Sequence, residues 1–536
     1  MKKRNFITNS LILTATSVIA KTIGLVFRSF MSEKVGSEGV GLYALVCSIY
    51  FFFASFSVSG MSLAVTRLVS DSMARDDLRG ARSTFRKCLG LSIFAGVSSS
   101  FALFYFSEFI AREFLGDQRA IVSLRVLSVA LPFIAFSACF RGYFYASGHI
   151  VKTASEQLME QAIEIIVFIV LIARVESQNV EQACLAIVTG TTVAEAISCM
   201  YSYLMYLFYI TKIKMHKSFL LKSSKKQRVF RKIFKISVPI TASTCVKAGL
   251  GAAENMLIPS GLHSFGSSFE KSLSDYGMIN GMVMPIIAFP AVLVSAFSNL
   301  LVSEISKENT LNNKISIQRI SSRVLRFTMI FSAFIMGLFW IFSDIIGGYI
   351  YKSQECSGYL FLLCPFIPIA YVSDVINGIL KGLNQQMHYL LYSIINSIVC
   401  IILLYFLLPW QGMKGLIITI FAGEILNFTL TAFRLTKIVK LKILLIDWFL
   451  KPLMCALISC VLTKYLLLEF LFVDLNFKKF SFSIILSLIF YILLLFFINL
   501  LEEDEKRLLT RIGKIRTYVF KPRKILSKKF FGVQER

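Results

Sequence analysis

The chemistry of this chain lies in charges set within apolar surroundings. Lys21 and Arg28 fall inside an apolar run at residues 6–31, and Lys247 and Glu254 inside another at 236–260. The members of each pair are seven residues apart, which returns a helix to within about 20° of the same face. Lys21 and Arg28 therefore form one basic stripe about 10 Å long. A charge within a membrane costs about 2.5–3.5 kcal/mol on insertion scales and faces a cavity or a partner. Three cations against one anion suit an anionic cargo such as a diphosphate, held by fixed positive groups. An exporter of organic cations would need a carboxylate-rich, aromatic cavity instead. The bland alternatives are snorkelling of Arg28 to the headgroups and an ion pair of Glu254 with Lys21 or Arg28.

A second set of carboxylates bears on energy coupling. Glu160 and Glu164 share one face of the segment 157–173, Glu195 and Glu424 occupy matching places in two later segments, and Asp374 lies in a third. Glu164, Glu195, Asp374 and Glu424 are candidates for binding H⁺ or Na⁺. The competing readings are a Glu160–Lys152 pair near the interface and helix-to-helix hydrogen bonds at Glu195 and Glu424. The membrane potential alone, at about 2.3 kcal/mol per charge per 100 mV, is a further source of drive.

No catalytic constellation accompanies these charges. The eleven Cys contain no C-x-x-C pair and the four His lie far apart, so neither a disulfide framework nor a metal site is expected. No Walker loop, nucleophile elbow or H-E-x-x-H motif occurs. The gaps on one side of the apolar segments are about 15 residues or shorter, too short to hold a sugar acceptor and catalytic groups. The expectation is a protein that is not an enzyme, with no catalytic residue, metal or cofactor beyond a coupling ion.

The elements that must position these residues are membrane helices. Of 536 residues, 56% are hydrophobic, 50 are Phe, and the mean hydropathy is +0.70, more apolar surface than a soluble fold can hide. Fourteen segments have spanning length: 6–31, 41–66, 88–110, 121–146, 157–173, 183–208, 236–260, 276–303, 327–346, 358–380, 389–409, 415–433, 452–472 and 480–500. Lys2, Lys3 and Arg4 before the first could announce a signal peptide, but the apolar pattern runs on through Phe30, and an uncleaved helix is expected.

Charge sets the orientation. Of 57 Lys and Arg, 43 fall in the gaps on the amino-terminal side, nine in the alternate gaps and five within helices. Arg141 and Lys152 are counted among the 43. Such alternation follows the positive-inside rule with both termini cytoplasmic. The formal charge of +26 is thereby directed at anionic headgroups, and a nucleic-acid partner is excluded.

Three matches six helices apart suggest an internal repeat. The pairs Lys21/Arg28 and Lys247/Glu254 have the same spacing. Pro132 precedes Gly142 by ten residues in Arg141-Gly142-Tyr143, and Pro368 precedes Gly378 by ten in Asn377-Gly378-Ile379. Ala194-Glu195 matches Gly423-Glu424. The fold class expected is an all-α polytopic membrane protein of fourteen transmembrane helices, with two six-helix bundles related by a pseudo-two-fold axis along the membrane normal and two appended helices. The divisions are 1–210 and 236–436 for the bundles, 211–235 for a basic cytoplasmic linker, 437–500 for the appended helices and 501–536 for a basic tail. Pro132, Gly142, Pro368 and Gly378 are the expected structural or hinge residues.

Gly24 and Arg28, then Gly36-x-x-Gly39-Val40-Gly41-Leu42-Tyr43, then Arg141-Gly142-Tyr143-Phe144 resemble the stage V sporulation protein B group of polysaccharide transporters. That group belongs to the superfamily of lipid II flippases, O-antigen-type flippases and multidrug and toxin extrusion exporters. The resemblance covers essentially the whole chain and rests on structural Gly and Pro signatures. It implies alternating access, in which two bundles rock about a central cavity. With the cationic excess, it leads to the expectation of a flippase for a lipid-linked, polyprenyl-diphosphate oligosaccharide in the bacterial cytoplasmic membrane, such as a peptidoglycan precursor or polysaccharide repeat unit. Membrane lipids and cell-wall or polysaccharide synthases are the expected partners, and the chain is expected to act as a monomer. A cation-coupled multidrug exporter is the alternative.

Overall fold

A computed structural model describes residues 2–500 except 76, 176–178, 217–228, 440, 442–444, 471–476 and 499. Part of the expected linker and all of the expected tail thus lie outside the described residues. Every described element is helical: α1 (Lys2–Ala74), α2 (Leu78–Phe109), α3 (Ala120–Ala146), α4 (Ile150–Ile172), α5 (Val180–His216), α6 (Val229–Ser264), α7 (Phe269–Tyr276), α8 (Met284–Thr310), α9 (Lys314–Ile350), α10 (Gln354–Leu363), α11 (Phe366–Gly382), α12 (Gln386–Gln411), α13 (Met413–Ile438), α14 (Lys451–Phe470) and α15 (Phe477–Phe497). π-Helical turns at Ile110–Leu115, Gly277–Val283 and Ile446–Leu450 extend α2, join α7 to α8 and lead into α14. Among the described residues, ten helices are long and apolar enough to cross a membrane, or eleven if a bent pair counts as one span. The chain is thus an all-helical, multi-span membrane protein.

The first two expected segments run as one helix, α1, broken only at Gly36, where φ is +74° and ψ 172°. A side chain there would strain the backbone, so this glycine of the Gly36-x-x-Gly39 pattern turns the chain. The tenth expected segment is also broken: α10 and α11 meet at 57°. Pro365 sits at that corner, and proline disfavours helical geometry in the residue before it. α3 contains Pro132 alone and remains a single helix.

The chain forms two compact units, 1–443 and 444–536. In the second, α14 and α15 pack together. In the first, α1 packs on α2, α3, α4 and α5 and also on α6, α7 and α8, while α8, α9, α11, α12 and α13 pack among themselves and on α6. α1 is therefore the seam between the two expected bundles.

Particular residues form that seam. A Cβ at Gly41 would collide with the Leu273 carbonyl oxygen, and one at Gly277 with the Ser37 carbonyl oxygen. Gly41 and Gly277 are 236 residues apart, as are Ser37 and Leu273, so each glycine meets the counterpart of what the other meets. Ser37 and Ser274 share a hydrogen bond of 2.6 Å, and Glu33 pairs with Lys352. Nearby, Arg119 joins Asp117 and Glu38, and its hydrogen bond to Asp117 raises its already high pKa. At the other end of the first bundle, Phe85 stacks among Phe140, Tyr143 and Tyr206 at 4.9–5.3 Å between centroids, each pair contributing about 0.5–1.5 kcal/mol beyond burial.

Candidate functional site

Between the bundles lies a cavity of about 320 Å³. Arg28, Tyr43, Cys47, Ser48 and Phe51 of α1 line it from one side, and Asn255 of α6 with Tyr276, Asn280 and Gly281 from the other. The Gly277–Val283 π-turn adds a residue to the helical repeat and so re-aims the side chains that follow it. Its Asn280 donates to Asn255 Oδ1 at 3.3 Å. The wall combines one guanidinium, two amides, hydroxyls and aromatic rings, a donor-rich surface suited to oxyanions.

Of the four expected cavity residues, Arg28 lines this space. Lys21 is exposed, one face-turn before it on α1. Lys247 is exposed and reaches across to α12, where its Nζ lies 3.3 Å from Tyr389 Oη. Lys247 and Lys381 both sit over the Tyr389 ring, at 5.6 and 5.1 Å. Glu254 turns into a different cavity of about 210 Å³ within the second bundle, lined also by Asn255, Asn280, Asn396, Cys400 and Glu424. Its Oε1 is buried without a hydrogen-bond partner, and it makes no ion pair with Lys21 or Arg28 among the described residues.

The structure corrects the reading of Arg141 as a gap cation and of Glu160 as a partner of Lys152. Arg141 is helical, in α3, with its side chain 24% exposed, and it bridges Glu156 at 3.2 Å and Glu160 at 3.7 Å. Lys152 instead lies over the rings of Phe144 and Tyr209 at 5.0 and 4.6 Å. Arg141 is held inside because Gly142 lets α3 approach α1 closely: Thr66 Oγ1 donates to the Gly142 carbonyl at 3.2 Å. Helical spacing then stacks three carboxylates on α4, Glu156, Glu160 and Glu164, four residues apart.

Around this pair gathers a cluster that the sequence reading had found only in part. Ser198 Oγ donates to both Glu156 and Glu160, and Thr191 Oγ1 donates to Glu164 at 2.9 Å. Glu195 is 5% exposed. Oε2 of Glu195 and Oε2 of Glu156 are both buried without partners. Glu156 was missed because a carboxylate one helical turn before Glu160 reads as an interfacial residue; the signal was the i, i+4, i+8 run of Glu on an apolar helix. Glu424 is half-buried and Asp374 exposed.

The expected structural residues form matching contacts. A Cβ at Gly142 would strike the Ser62 carbonyl and one at Gly378 the Ser298 side chain. Ser62 and Ser298 are again 236 residues apart. Ser298 Oγ bonds the Asp374 carbonyl, the counterpart in the second bundle of the Thr66 contact.

Residues 6–248 match the family described as polysaccharide biosynthesis protein. The chain is similar to stage V sporulation protein B of Bacillus subtilis (strain 168), at 23% identity over 96% of this chain and 99% of that one. It is also similar to the lipid II flippase MurJ of the same organism, at 24% identity over 163 residues, 29% of this chain. Among solved structures it resembles a lipid II flippase MurJ in an inward closed conformation, with TM-score 0.67 and 16% identity over 92% of this chain and all of that one. An inward-facing multidrug resistance MATE family transporter matches with TM-score 0.61 and 14% identity over 78% of this chain and 95% of that one. The two structural matches show the fold. Together these findings bear out the resemblance read from the sequence, and the relatives whose names state an activity are flippases and transporters, not enzymes.

Proposed function

From a chain that resembles the stage V sporulation protein B group along nearly its whole length, we propose a flippase that carries a lipid-linked oligosaccharide across the cytoplasmic membrane by alternating access. Its cargo would be a glycan on a polyprenyl diphosphate, of the kind used for peptidoglycan or another polysaccharide. The observation that carries this reading is Arg28, a cation facing the cavity between the bundles beside two amides. A diphosphate brings two or more negative charges, and a guanidinium offers paired donors to such oxyanions. Lys21, on the same face, extends the basic stripe.

The finer architecture belongs to the same proposal: fourteen crossings, both termini cytoplasmic, and two bundles of like orientation about an axis along the membrane normal. The reciprocal Gly41–Gly277 contact supports that axis, because reciprocal contacts between equivalent residues are the signature of two-fold symmetry. So does the repeated separation of 236 residues at Pro132/Pro368, Gly142/Gly378 and Ser62/Ser298. Gly36, Pro365 and the π-turn beside the cavity are the places where rocking would be absorbed.

The buried cluster supports proton coupling. Arg141 can balance one of the carboxylates around it; Glu195 and Glu156 each retain a buried, unpartnered oxygen, and like charges at such a site cannot all ionise. Glu195 would take up a proton in one orientation of the bundles and release it in the other.

The test is an outer-face accessibility assay for the lipid diphosphate in proteoliposomes. Arg28→Ala is expected to insert and fold normally and to slow translocation at least about tenfold, the equivalent of one charge-assisted contact. Unchanged translocation would remove Arg28 from the substrate path.

A further inference from the structure

A second, larger cavity lies away from the path just described. Its volume is about 530 Å³, and it sits where the last turns of α1 and the first of α2 meet the first turns of α6. Arg67, Asp71 and Arg75 follow one another at four-residue intervals and line it from α1; Lys232, Lys235, Ile236, Pro239 and Ile240 line it from α6. Those spacings place each set on one helical face. In the sequence these cations belong to two separate basic clusters, 67–87 and 212–235, and read only as orientation signals. Folding brings part of each into one concavity.

We propose that this cavity binds the phosphate group of an anionic amphiphile at the basic face of the protein. Four cations line it against two carboxylates, and one of those, Asp77, is already engaged in capping α2, accepting from the Gly80 N–H at 2.7 Å. Ser72 and Thr84 add hydroxyl donors. Leu68, Val229, Ile236, Pro239 and Ile240 form an apolar floor, which a bare phosphate does not need and an acyl or prenyl chain would cover. The site differs from general headgroup attraction in its enclosure: cations from two elements converge on one point, so a single phosphate meets several charge-assisted bonds. It also spans the seam between the bundles. α1 and α6 are in backbone contact beside it, where Gly60 faces Ser237, so a ligand bridging Arg67 and Lys235 would hold the bundles together at this end. This inference stands apart from the transport reading, since it concerns binding at a different cavity.

The experiment measures thermal unfolding of the full-length protein in neutral detergent against added phosphatidylglycerol, phosphatidylcholine and inorganic pyrophosphate. Phosphatidylglycerol is expected to stabilise the wild type, saturably and less at high salt. The apparent dissociation constant is expected to rise about tenfold for each of Arg67→Gln and Lys235→Gln. Arg79→Gln and Lys314→Gln, exposed cations outside the lining, are expected to leave it unchanged. All four are exposed positions, and the unfolding of each variant without lipid reports whether it is folded. Stabilisation by pyrophosphate alone, lost in the two lining variants, would support the phosphate site and assign its ligand to the soluble phase. Equal phosphatidylglycerol response in lining and control variants, or no response in the wild type, would overturn it.

Discussion

Ten residues after its proline, the first bundle carries Arg141-Gly142 and the second Asn377-Gly378, and the two glycines meet the partner helix in corresponding ways. Around them the chemistry diverges. Counting 236 residues on from the buried cluster, Arg141 becomes Asn377, Glu156 becomes Tyr392, Glu160 becomes Asn396 and Glu164 becomes Cys400. Only the Glu195/Glu424 match keeps its charge. One bundle therefore encloses an ionic network about a single guanidinium, and the other replaces it with amides, a phenol and a thiol. Backbone approach is set by small residues and survives such changes, whereas a buried charge must have its partners or be lost as a group. The scaffold could thus stay symmetric while its titratable chemistry was confined to one side.

The largest effect that would sharpen this comparison is expected at Arg141. Arg141→Ala leaves Glu156, 1% exposed, without its cation and should destabilise by about 3–5 kcal/mol. Asn377→Ala, which removes a neutral group, should change stability by about 1 kcal/mol. Thermal unfolding of the purified variants measures both, and equal losses would end the distinction between bundles.

Next come the shared contacts. Gly142→Ala and Gly378→Ala each force a methyl into a facing helix, and each should lower stability by about 1–3 kcal/mol. Similar losses are expected from the two because the contacts correspond; a large loss from one alone would break the symmetry of the scaffold.

A smaller effect on stability, with a larger one on transport, is expected at the acidic match. Glu195→Gln keeps the volume and removes a proton-binding group, so translocation should lose its dependence on pH while the protein stays folded. Glu424→Gln should retain that dependence. The measurement is the rate of lipid translocation in proteoliposomes across a pH series, and the reverse outcome would move coupling to the second bundle. The smallest effect is expected at the Glu33–Lys352 pair, which crosses the seam but is exposed on both sides. Exposed pairs contribute little, and Lys352→Gln should leave the melting temperature unchanged within error.

Much of this was legible before the fold was known. Apolar runs of spanning length, the proline-to-glycine spacings and the charge alternation are local patterns, and each corresponds to a described element. The functional cluster was legible only in part. Glu160, Glu164 and Glu195 stood out as charges in apolar segments, but Arg141 and Glu156 lie near segment ends, where a charge reads as interfacial. Whether such a residue points to water or inward depends on how closely the next helix approaches, and that is settled by Gly142 against Ser62. Likewise Glu254 and Arg28 both looked like central-cavity residues, yet helix rotation sends Glu254 toward Glu424 and leaves Arg28 at the seam.

The sequence by itself determined the helices, their number of apolar runs and the side on which basic residues gather, because these follow from transfer energies summed along the chain. It also determined where the helices can touch closely, since only glycine and other small residues permit it. The tertiary structure decided which charges share a space: Arg141 with Glu156 and Glu160, Arg28 with Asn255 and Asn280, Arg67 with Lys235. Electrostatic partnership depends on distances of a few ångströms between residues far apart in the chain, and only the packing of helices fixes those.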